Sequence, residues 1–327
     1  MTLELTTNTS HDQPEPLPFP FNQRTFCVYE PIEKRIERIR VLVVNDLLHD
    51  EADLSETAIR ELGRGVKARI NRERTIGKLA VGNILNNIER LVREPETRVA
   101  HVSEIARVAE EFQPQAIVLS GTLSDFDWYH PALLESFSEF ITATRTPVLA
   151  ICGGHQLVGL SFGAKVVTLD NLEQWEQRAR RLHEYQYRFV RITAPEDPIF
   201  CGILDEHSGV WQDYTKEARI LRVWQNHGLK LDRVPEGFEL LATSYLCKNQ
   251  MMARRTADQL IYSVQFHLEK SFEDYDTSRT HGGTRWEHVN ESRDGRIIFE
   301  NFLRAALDHE GIAGYACEHR QPELASV

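Results

Sequence analysis

Short apolar segments that alternate with helical segments place the strongest constraint on the fold of this 327-residue chain. Three of them, RVLVVND (40–46), AIVLSG (116–121) and PVLAIC (147–152), are nearly continuous apolar runs. Such runs are typical of strands buried on both faces, as in a parallel sheet. Strands that alternate with helices also imply β–α–β crossovers. The first half of the chain therefore predicts a parallel sheet covered by helices.

Helical periodicity fills the intervals between these strands. In the segment 75–94 the apolar residues fall three or four positions apart; they are Ile76, Leu79, Ala80, Ile84, Ile88, Leu91 and Val92. Shorter helices are predicted at 104–112 and 133–144, and an amphipathic helix at 295–309 ends the pattern. These helices are expected to cover the sheet.

The second half of the chain has a different pattern. Short strands separated by turns are predicted at 187–193, 218–224, 238–244 and 260–266. Strands so closely spaced favour antiparallel pairing, and sheets that mix the two kinds of pairing are common. We therefore expect one mixed sheet, parallel in its first half and antiparallel in its second.

One α/β domain accounts for most of the chain. We assign it to residues 36–312, between a mobile N-terminal tail at 1–35 and a C-terminal tail at 313–327. Two polar stretches, at 50–75 and 271–294, lie between core elements and resemble insertions. Their composition predicts a solvated helix and a surface loop, and the alternative is a docking surface or a lid.

Composition and charge disfavour several functional classes. The formal net charge of -11 disfavours bulk binding of nucleic acid. No apolar run reaches the roughly 18 residues of a membrane span, and the N-terminus lacks the basic and apolar regions of a secretory signal. Five cysteines at irregular spacing do not make a disulfide framework. We therefore expect a cytoplasmic protein that binds neither nucleic acid nor membrane.

The histidines and acidic residues of the second insertion do not predict a metal site. His281, Glu287, His288 and Asp294 lie there, but their spacing does not match that of usual zinc ligands. The basic cluster RGVKARINRER (64–74) predicts a solvated helix face, with an acidic partner as the alternative. No metal and no cofactor are expected.

The turn at Cys152 has the order that cysteine nucleophiles use. A buried strand ends at Ile151, and Gly153 and Gly154 then open a helix. The helix N-terminus favours a thiolate, and the amide of Gly153 can donate to an oxyanion. A buried structural cysteine is the alternative, because buried cysteines are common.

Two motifs identify the chain as similar to the class I (triad) glutamine amidotransferases. CGGHQL (152–157) resembles their C-x-G-x-Q-L signature, and SVQFHLE (263–269) resembles G-V-Q-F-H-P-E. The resemblance implies that Cys152 attacks the side-chain amide of glutamine and that Gln156 helps to bind this substrate. It also implies that His267 is the general base and acid. Glu269 then orients His267, since residues two apart in a strand share one side.

Two further segments extend the resemblance. VLSGT (118–122) resembles the I-L-S-G-G-P loop, which implies an oxyanion hole formed by Gly121, Thr122 and Gly153. WQNHGLKLDRVPEGFELLATS (224–244) resembles the S-H-G-D-x-V-x-x-L-P-x-G-F segment of the family. By that match the residues that contact the amino and carboxylate groups of glutamine are Asn226, His227 and Gly228. For His227 an ordinary turn residue is the alternative.

The resemblance implies a flavodoxin-like α/β fold, with a mixed, mostly parallel sheet flanked by helices. It implies a glutaminase that supplies ammonia to a separate synthetase, since no synthetase motif follows the domain. One alternative is a hydrolase of another γ-glutamyl amide, and a second is a catalytically weak binding or regulatory protein of the same fold.

The chain departs from the family pattern at three positions. Thr122 and Leu123 replace a glycine and a proline in the oxyanion loop, and Leu268 replaces the proline between base and acid. A β-branched residue resists unusual backbone dihedrals. We therefore expect a slow glutaminase that accelerates when the acceptor enzyme docks near 50–75 or 271–294.

Overall fold

A computed structural model describes residues 33–203, 220–269 and 291–309. The described strands are β1 (Ile36–Asn45), β2 (Val92–His101), β3 (Ala116–Leu119), β4 (Val148–Ile151), β5 (Val166–Thr168), β6 (Glu184–Ile192), β7 (Ile220–His227), β8 (Leu229–Leu231), β9 (Glu239–Thr243), β10 (Met251–Arg255) and β11 (Leu260–Val264). The described α-helices are α1 (Glu56–Leu62), α2 (Val66–Leu91), α3 (Ile105–Phe112), α4 (Pro131–Ala143), α5 (Gly153–Ser161) and α6 (Glu291–His309).

Nine of these strands form one mixed sheet in the order β2-β1-β3-β4-β11-β10-β9-β6-β7. The pairs from β2 to β11 are parallel, and those from β11 to β7 are antiparallel. The predicted mixed α/β sheet is therefore confirmed. β11 differs from the expectation, because its hydrogen bonds to β4 are parallel and place it at the junction of the two halves. β5 and β8 form a separate antiparallel pair.

Both faces of the parallel half are buried. Successive residues of β1 point to opposite faces, so that Val41 and Val43 join one apolar core while Leu42 and Val44 join the other. The C-terminal half of α2 and the helix α6 pack in the first core. The helices α3, α4 and α5 pack in the second. This double burial explains the continuous apolar runs of the central strands.

The segment 50–75 packs on the core through one face and exposes most of its remaining residues. Leu54, Ala58, Val66 and Ile70 are all buried in the second apolar core. The basic cluster at 64–74 lies within this packed region, and its Arg69 contacts the buried carboxylate of Glu73 at 3.0 Å. The segment is therefore part of the fold.

The predicted buried face of α2 is confirmed at Ile84, Ile88 and Leu91 and is wrong closer to the N-terminus of the helix. Ile76 and Leu79 are 36% and 59% exposed, whereas Gly77 faces the sheet. A Cβ at Gly77 would lie 2.9 Å from Asn45 Nδ2, so this close approach sets the rotation of the helix. Val92, predicted as helical, is the first residue of β2.

The last described helix overlaps the predicted second insertion. α6 begins at Glu291 and therefore includes the last residues of the predicted insertion at 271–294. Asp294 is buried there and accepts a hydrogen bond from Arg222 N at 2.9 Å. Burial raises the pKa of Asp294 to about 6.

The tails at 1–32 and 310–327, and His281, Glu287 and His288, lie outside the described residues. None of the helices described has the length and hydropathy needed to cross a bilayer.

Candidate active site

Cys152 occupies a strained turn between β4 and α5. Its φ of 52° and ψ of -103° lie in a region that L-residues rarely adopt. The backbone holds this conformation from both sides, because Cys152 N donates to Val264 O at 2.7 Å and Gln156 N donates to Cys152 O at 3.1 Å. The side chain is 6% exposed. Such strain at a helix N-terminus is typical of a nucleophile elbow.

The two glycines after Cys152 are required by close packing. A Cβ at Gly153 would overlap both the side chain and the backbone nitrogen of Thr122. A Cβ at Gly154 would lie 2.8 Å from Ser120 O. The loop after β3 therefore presses directly against the start of α5, and only glycine allows that contact.

His267 and Glu269 meet as predicted from their spacing. His267 Nδ1 lies 2.7 Å from Glu269 Oε1, and His267 N donates to Trp224 O at 2.8 Å. His267 Cε1 and Cys152 Sγ lie 3.4 Å and 4.0 Å from the position that a Cβ at Gly121 would take. The ring and the thiol therefore border the same space.

The electrostatic surroundings favour a protonated imidazole at His267. Burial opposes the charge, but the carboxylate of Glu269 and the charge of Cys152 outweigh it and raise the pKa of His267 to about 10. An opposite charge within hydrogen-bonding distance stabilises the charged form. His267 can therefore carry the proton that a leaving group needs.

Gly121 and Thr122 lie against the elbow, as the resemblance implied. Thr122 is not among the described residues with a positive φ. The expectation of a slow enzyme that accelerates on docking concerns turnover and stays a prediction.

Gln156 is buried behind the cysteine, and its amide group is committed to the protein. Gln156 Nε2 donates to Leu229 O and to Gln265 Oε1, both at 3.0 Å. Gln265 Nε2 in turn lies 3.8 Å from Cys152 Sγ, within the range for a donor to sulfur. No role was predicted for Gln265 from the sequence, although it lies two residues before His267 in the same motif.

Asn226, His227 and Gly228 lie together at the end of β7, but their side chains face different surroundings. Asn226 is exposed, and its Oδ1 lies 3.0 Å from His183 Nε2. His227 is buried, with Nδ1 2.9 Å from Leu229 O and Nε2 3.1 Å from Glu184 Oε2. The side chain of His227 therefore braces the turn.

A pair of arginines crosses over this turn, and no sequence motif indicated it. Arg181 contacts Asp125 at 2.6 Å and 2.8 Å, and Arg178 forms ion pairs with both Asp125 and Asp127. We call these four side chains the arginine clasp. A Cβ at Gly228 would lie 2.7 Å from Arg181 Cδ, so the clasp packs directly on the turn.

Other titratable groups near the elbow are poorly suited to acid–base chemistry. Burial, together with the charge of His227, lowers the pKa of His155 to about 3. Burial raises the pKa of the free thiol of Cys247. Cys201 is disulfide-bonded. The described residues contain no cluster of three or more His, Cys, Asp or Glu side chains arranged to hold a metal.

Known proteins resemble both the sequence and the fold. GMP synthase [glutamine-hydrolyzing] of Pyrobaculum aerophilum is 31% identical over 225 residues, which cover 68% of this chain and 34% of that enzyme. A single subunit of the GMP synthase [glutamine-hydrolyzing] of Methanothermobacter thermautotrophicus is 27% identical over 191 residues, 58% of this chain and 73% of the relative. The chain thus spans only about a third of the first relative.

A solved structure shows the same fold. A candidate GMP synthase component from Thermoplasma acidophilum superimposes with a TM-score of 0.50 at 21% identity, covering 84% of this chain and 96% of that one. Residues 80–282, more than half of the chain, match the family described as Glutamine amidotransferase class-I. With its cysteine elbow and its His–Glu pair, the chain belongs to the class I glutamine amidotransferase family.

Proposed function

We propose that this chain hydrolyses the side-chain amide of glutamine and passes the ammonia to a synthetase on another chain. The observation that carries the proposal is the strained elbow at Cys152, which borders the same space as His267. Glu269 Oε1 lies 2.7 Å from His267 Nδ1. Cys152, His267 and Glu269 then serve as nucleophile, base and orienting acid.

In the first half of the reaction, the thiolate of Cys152 attacks the amide carbon of glutamine. The amides of Gly153 and Thr122 stabilise the resulting oxyanion. His267 then donates its proton to the leaving nitrogen, the carbon–nitrogen bond breaks, and ammonia departs. The raised pKa of His267 keeps that proton available at neutral pH. The product on the enzyme is a γ-glutamyl thioester.

In the second half, neutral His267 takes a proton from a water molecule. The hydroxide attacks the thioester carbon, and the same amides stabilise the second oxyanion. The carbon–sulfur bond breaks and glutamate leaves. Cys152 returns to the thiolate and His267 to its protonated form, with Glu269 holding the ring in place throughout.

The identity of the proposed acceptor enzyme is inferred from the proteins that the chain resembles in sequence. The two relatives in sequence are a GMP synthase and one subunit of another, and the latter is covered over 73% of its length. The synthetase component of a GMP synthase is therefore the first partner to assay. Binding of the backbone turn at Asn226–Gly228 to the amino and carboxylate groups of glutamine is part of the same proposal.

The test compares ammonia release from glutamine with amine release from γ-glutamyl ethylamide. We expect the glutamine reaction to dominate, and the Cys152→Ala variant to lose at least about 10⁴-fold of it, as catalytic nucleophiles do. Faster release of ethylamine would instead assign the chain to γ-glutamyl amide hydrolases. Absence of both reactions, with no labelling of Cys152 by a glutamine-mimicking electrophile, would indicate a regulatory protein.

A further inference from the structure

Ser120 is the fully buried residue between β3 and the oxyanion loop, and each of its polar groups has a partner. Its N–H donates to Val44 O and its carbonyl accepts from Gly154 N, both at 3.0 Å. Its hydroxyl accepts from Asp46 N at 3.0 Å and donates to Gly121 O at 3.0 Å. The hydroxyl has one proton, so the bond to Gly121 uses its only donor.

The bond to Gly121 O fixes the orientation of the next amide. A peptide unit is planar and trans, so the carbonyl of Gly121 and the N–H of Thr122 point in opposite directions. With the carbonyl turned toward Ser120, the N–H of Thr122 is turned away from it. Thr122 N lies on the side of Gly153, where an added Cβ would overlap it.

The amides of Thr122 and Gly153 are therefore neighbours beside Cys152. Neither donates to another atom in the part of the chain that the structure describes. Unused donors that converge beside a nucleophile are the arrangement that stabilises an oxyanion. A rotation of the Gly121–Thr122 peptide would remove one of the two donors from this space.

We propose that Ser120 is a positioning residue that sets the oxyanion hole, by holding the Gly121 carbonyl so that the Thr122 amide points at the oxygen that becomes the oxyanion. The inference rests on the proposed function of Cys152 as an acylated nucleophile. Ser120 touches no reacting atom, and its effect passes through a single peptide unit. Asp46 N keeps the hydroxyl oriented, because it occupies the acceptor side of the same oxygen.

Two reactions of Cys152 separate the oxyanion hole from the nucleophile. Acetylation by p-nitrophenyl acetate passes through a tetrahedral oxyanion: the sulfur–carbon bond forms and p-nitrophenolate leaves. Alkylation by iodoacetamide displaces iodide at a saturated carbon and forms no oxyanion. The ratio of the two rate constants, read by mass spectrometry of Cys152, therefore reports the oxyanion hole. We expect Ser120→Ala to lower this ratio at least about tenfold, and glutamine turnover by about 10²–10³-fold with little change in KM.

The matched control is Ser263→Ala. Ser263 is also fully buried, and its hydroxyl is bonded to His155 Nδ1 at 2.9 Å, away from the oxyanion loop. This variant loses a buried hydroxyl but should keep the parental ratio. Ser120→Thr, which keeps the hydroxyl, should restore most of the ratio. If Ser120→Ala does not fold, Ser120→Cys replaces it in the test. The S–H group is a weaker donor than the hydroxyl, so this variant should lower the ratio of the two rate constants about threefold.

The outcomes are distinct. A ratio within twofold of the parent in Ser120→Ala, or a parallel fall of both rate constants, would overturn the role of Ser120. A parent chain that is acetylated at Cys152 but releases no ammonia from glutamine would count against the proposed function alone. The ratio in Ser120→Ala would still decide the role of Ser120 in that case.

Discussion

Two parts of the proposed active site are held in place by different kinds of contact. The first contains Cys152, His267 and Gly154 and is called the nucleophile region; the second is the turn 226–228, called the recognition turn. Backbone hydrogen bonds fix the nucleophile region: Cys152 N to Val264 O, His267 N to Trp224 O and Gly154 N to Ser120 O. Side chains brace the recognition turn at 226–228, through Glu184, His183 and the arginine clasp. A change in the first region must therefore move the sheet, whereas the second can adjust by moving side chains.

This difference predicts how each region responds to substitution. Damage to the nucleophile region should lower kcat, because the geometry that stabilises the transition state cannot adapt. Damage to the recognition turn should raise KM and leave kcat nearly constant, because only uniform binding is lost. The predictions below test this division, from the largest expected effect on turnover to the smallest.

After the loss of the nucleophile itself, the largest effect is expected at the proposed base, His267. His267→Asn should lower kcat for glutamine by about 10³-fold or more, in line with the contribution of general acid–base catalysis. Glu269→Gln should cost less, because it only holds and polarises the ring from 2.7 Å. Steady-state ammonia assays give both numbers. A Glu269 variant slower than the His267 variant would contradict the assigned roles.

The same pair has a signature in stability. The folded-state pKa of His267 is raised to about 10 from an ordinary 6.5. A raised pKa stabilises the fold fully below the unfolded value and loses this effect as pH rises through the folded value. The parent chain should therefore lose stability relative to Glu269→Gln between about pH 6.5 and 10. Denaturant unfolding at several pH values measures the difference in the free energy of unfolding between the parent and Glu269→Gln. A difference that does not change with pH would contradict the pairing of His267 with Glu269.

The two regions can be compared directly by one substitution in each. Gly153→Ala places a methyl group on the backbone of Thr122, so the oxyanion loop must shift. We expect a fall of about 10²-fold in kcat. Gly228→Ala meets the side chain of Arg181, with its Cδ at 2.7 Å, and not the backbone of another segment. KM should rise a few-fold with kcat unchanged.

Gly82→Ala is the control for these two variants. Gly82 lies in α2, and a Cβ there would have no atom within 4 Å. The change should leave turnover alone and stabilise the helix by up to about 1 kcal/mol. Equal losses of kcat in the Gly153 and Gly228 variants would break the division between the regions.

A smaller effect is expected from the brace under the recognition turn. Glu184→Ala leaves His227 Nε2 without the carboxylate at 3.1 Å. Losing a contact worth about 1 kcal/mol corresponds to roughly a fivefold rise in KM. Glu184→Gln keeps a polar partner and should raise KM less. Should kcat fall more than KM rises, Glu184 would belong functionally to the nucleophile region.

The smallest effect on turnover, and a distinct one on stability, is expected at Asp46 behind the elbow. Its carboxylate is fully buried, and neither oxygen has a hydrogen-bond partner among the residues that the structure describes. Burial raises the pKa of Asp46 well above its usual range. The folded state then holds a proton that the unfolded state releases, so stability should fall as pH rises above about 4.

Asp46→Asn removes this titration and keeps the backbone N–H that Ser120 requires. The variant should gain stability over the parent between pH 5 and 8, by up to about 1.4 kcal/mol per pH unit while the parent keeps its proton. Thermal unfolding across this range is the measurement. Parallel curves for the two proteins would show that Asp46 is not protonated in the fold.

The sequence determined those features that depend on neighbouring residues. The strands around Val43, Val118 and Leu149 are apolar without interruption, because both faces of a parallel sheet are covered. The elbow at Cys152 was predictable because a strand, a nucleophile and two glycines follow one another directly. The fold class and the family follow from these segments, and both predictions are confirmed.

Other features depended on residues far apart in the chain, and local patterns did not show them. Gly77 packs against Asn45, whereas apolar periodicity had placed Ile76 and Leu79 on the buried face of α2. Hydrogen bonds to β4, more than 100 residues earlier in the chain, drew β11 into the parallel half. Leu54 and Ala58, which lie in the polar segment 50–75, likewise pack in the second apolar core.

The active site shows the same division. The order of motifs in the sequence was enough to nominate Cys152, His267 and Glu269, whose roles stay predictions until turnover is measured. Only the tertiary structure placed Gln265 beside the cysteine, laid the arginine clasp over the recognition turn and turned the Gly121 carbonyl toward Ser120. The physical reason is that a motif records which groups are present, whereas the direction of an amide or a side chain is fixed by partners from other strands and helices.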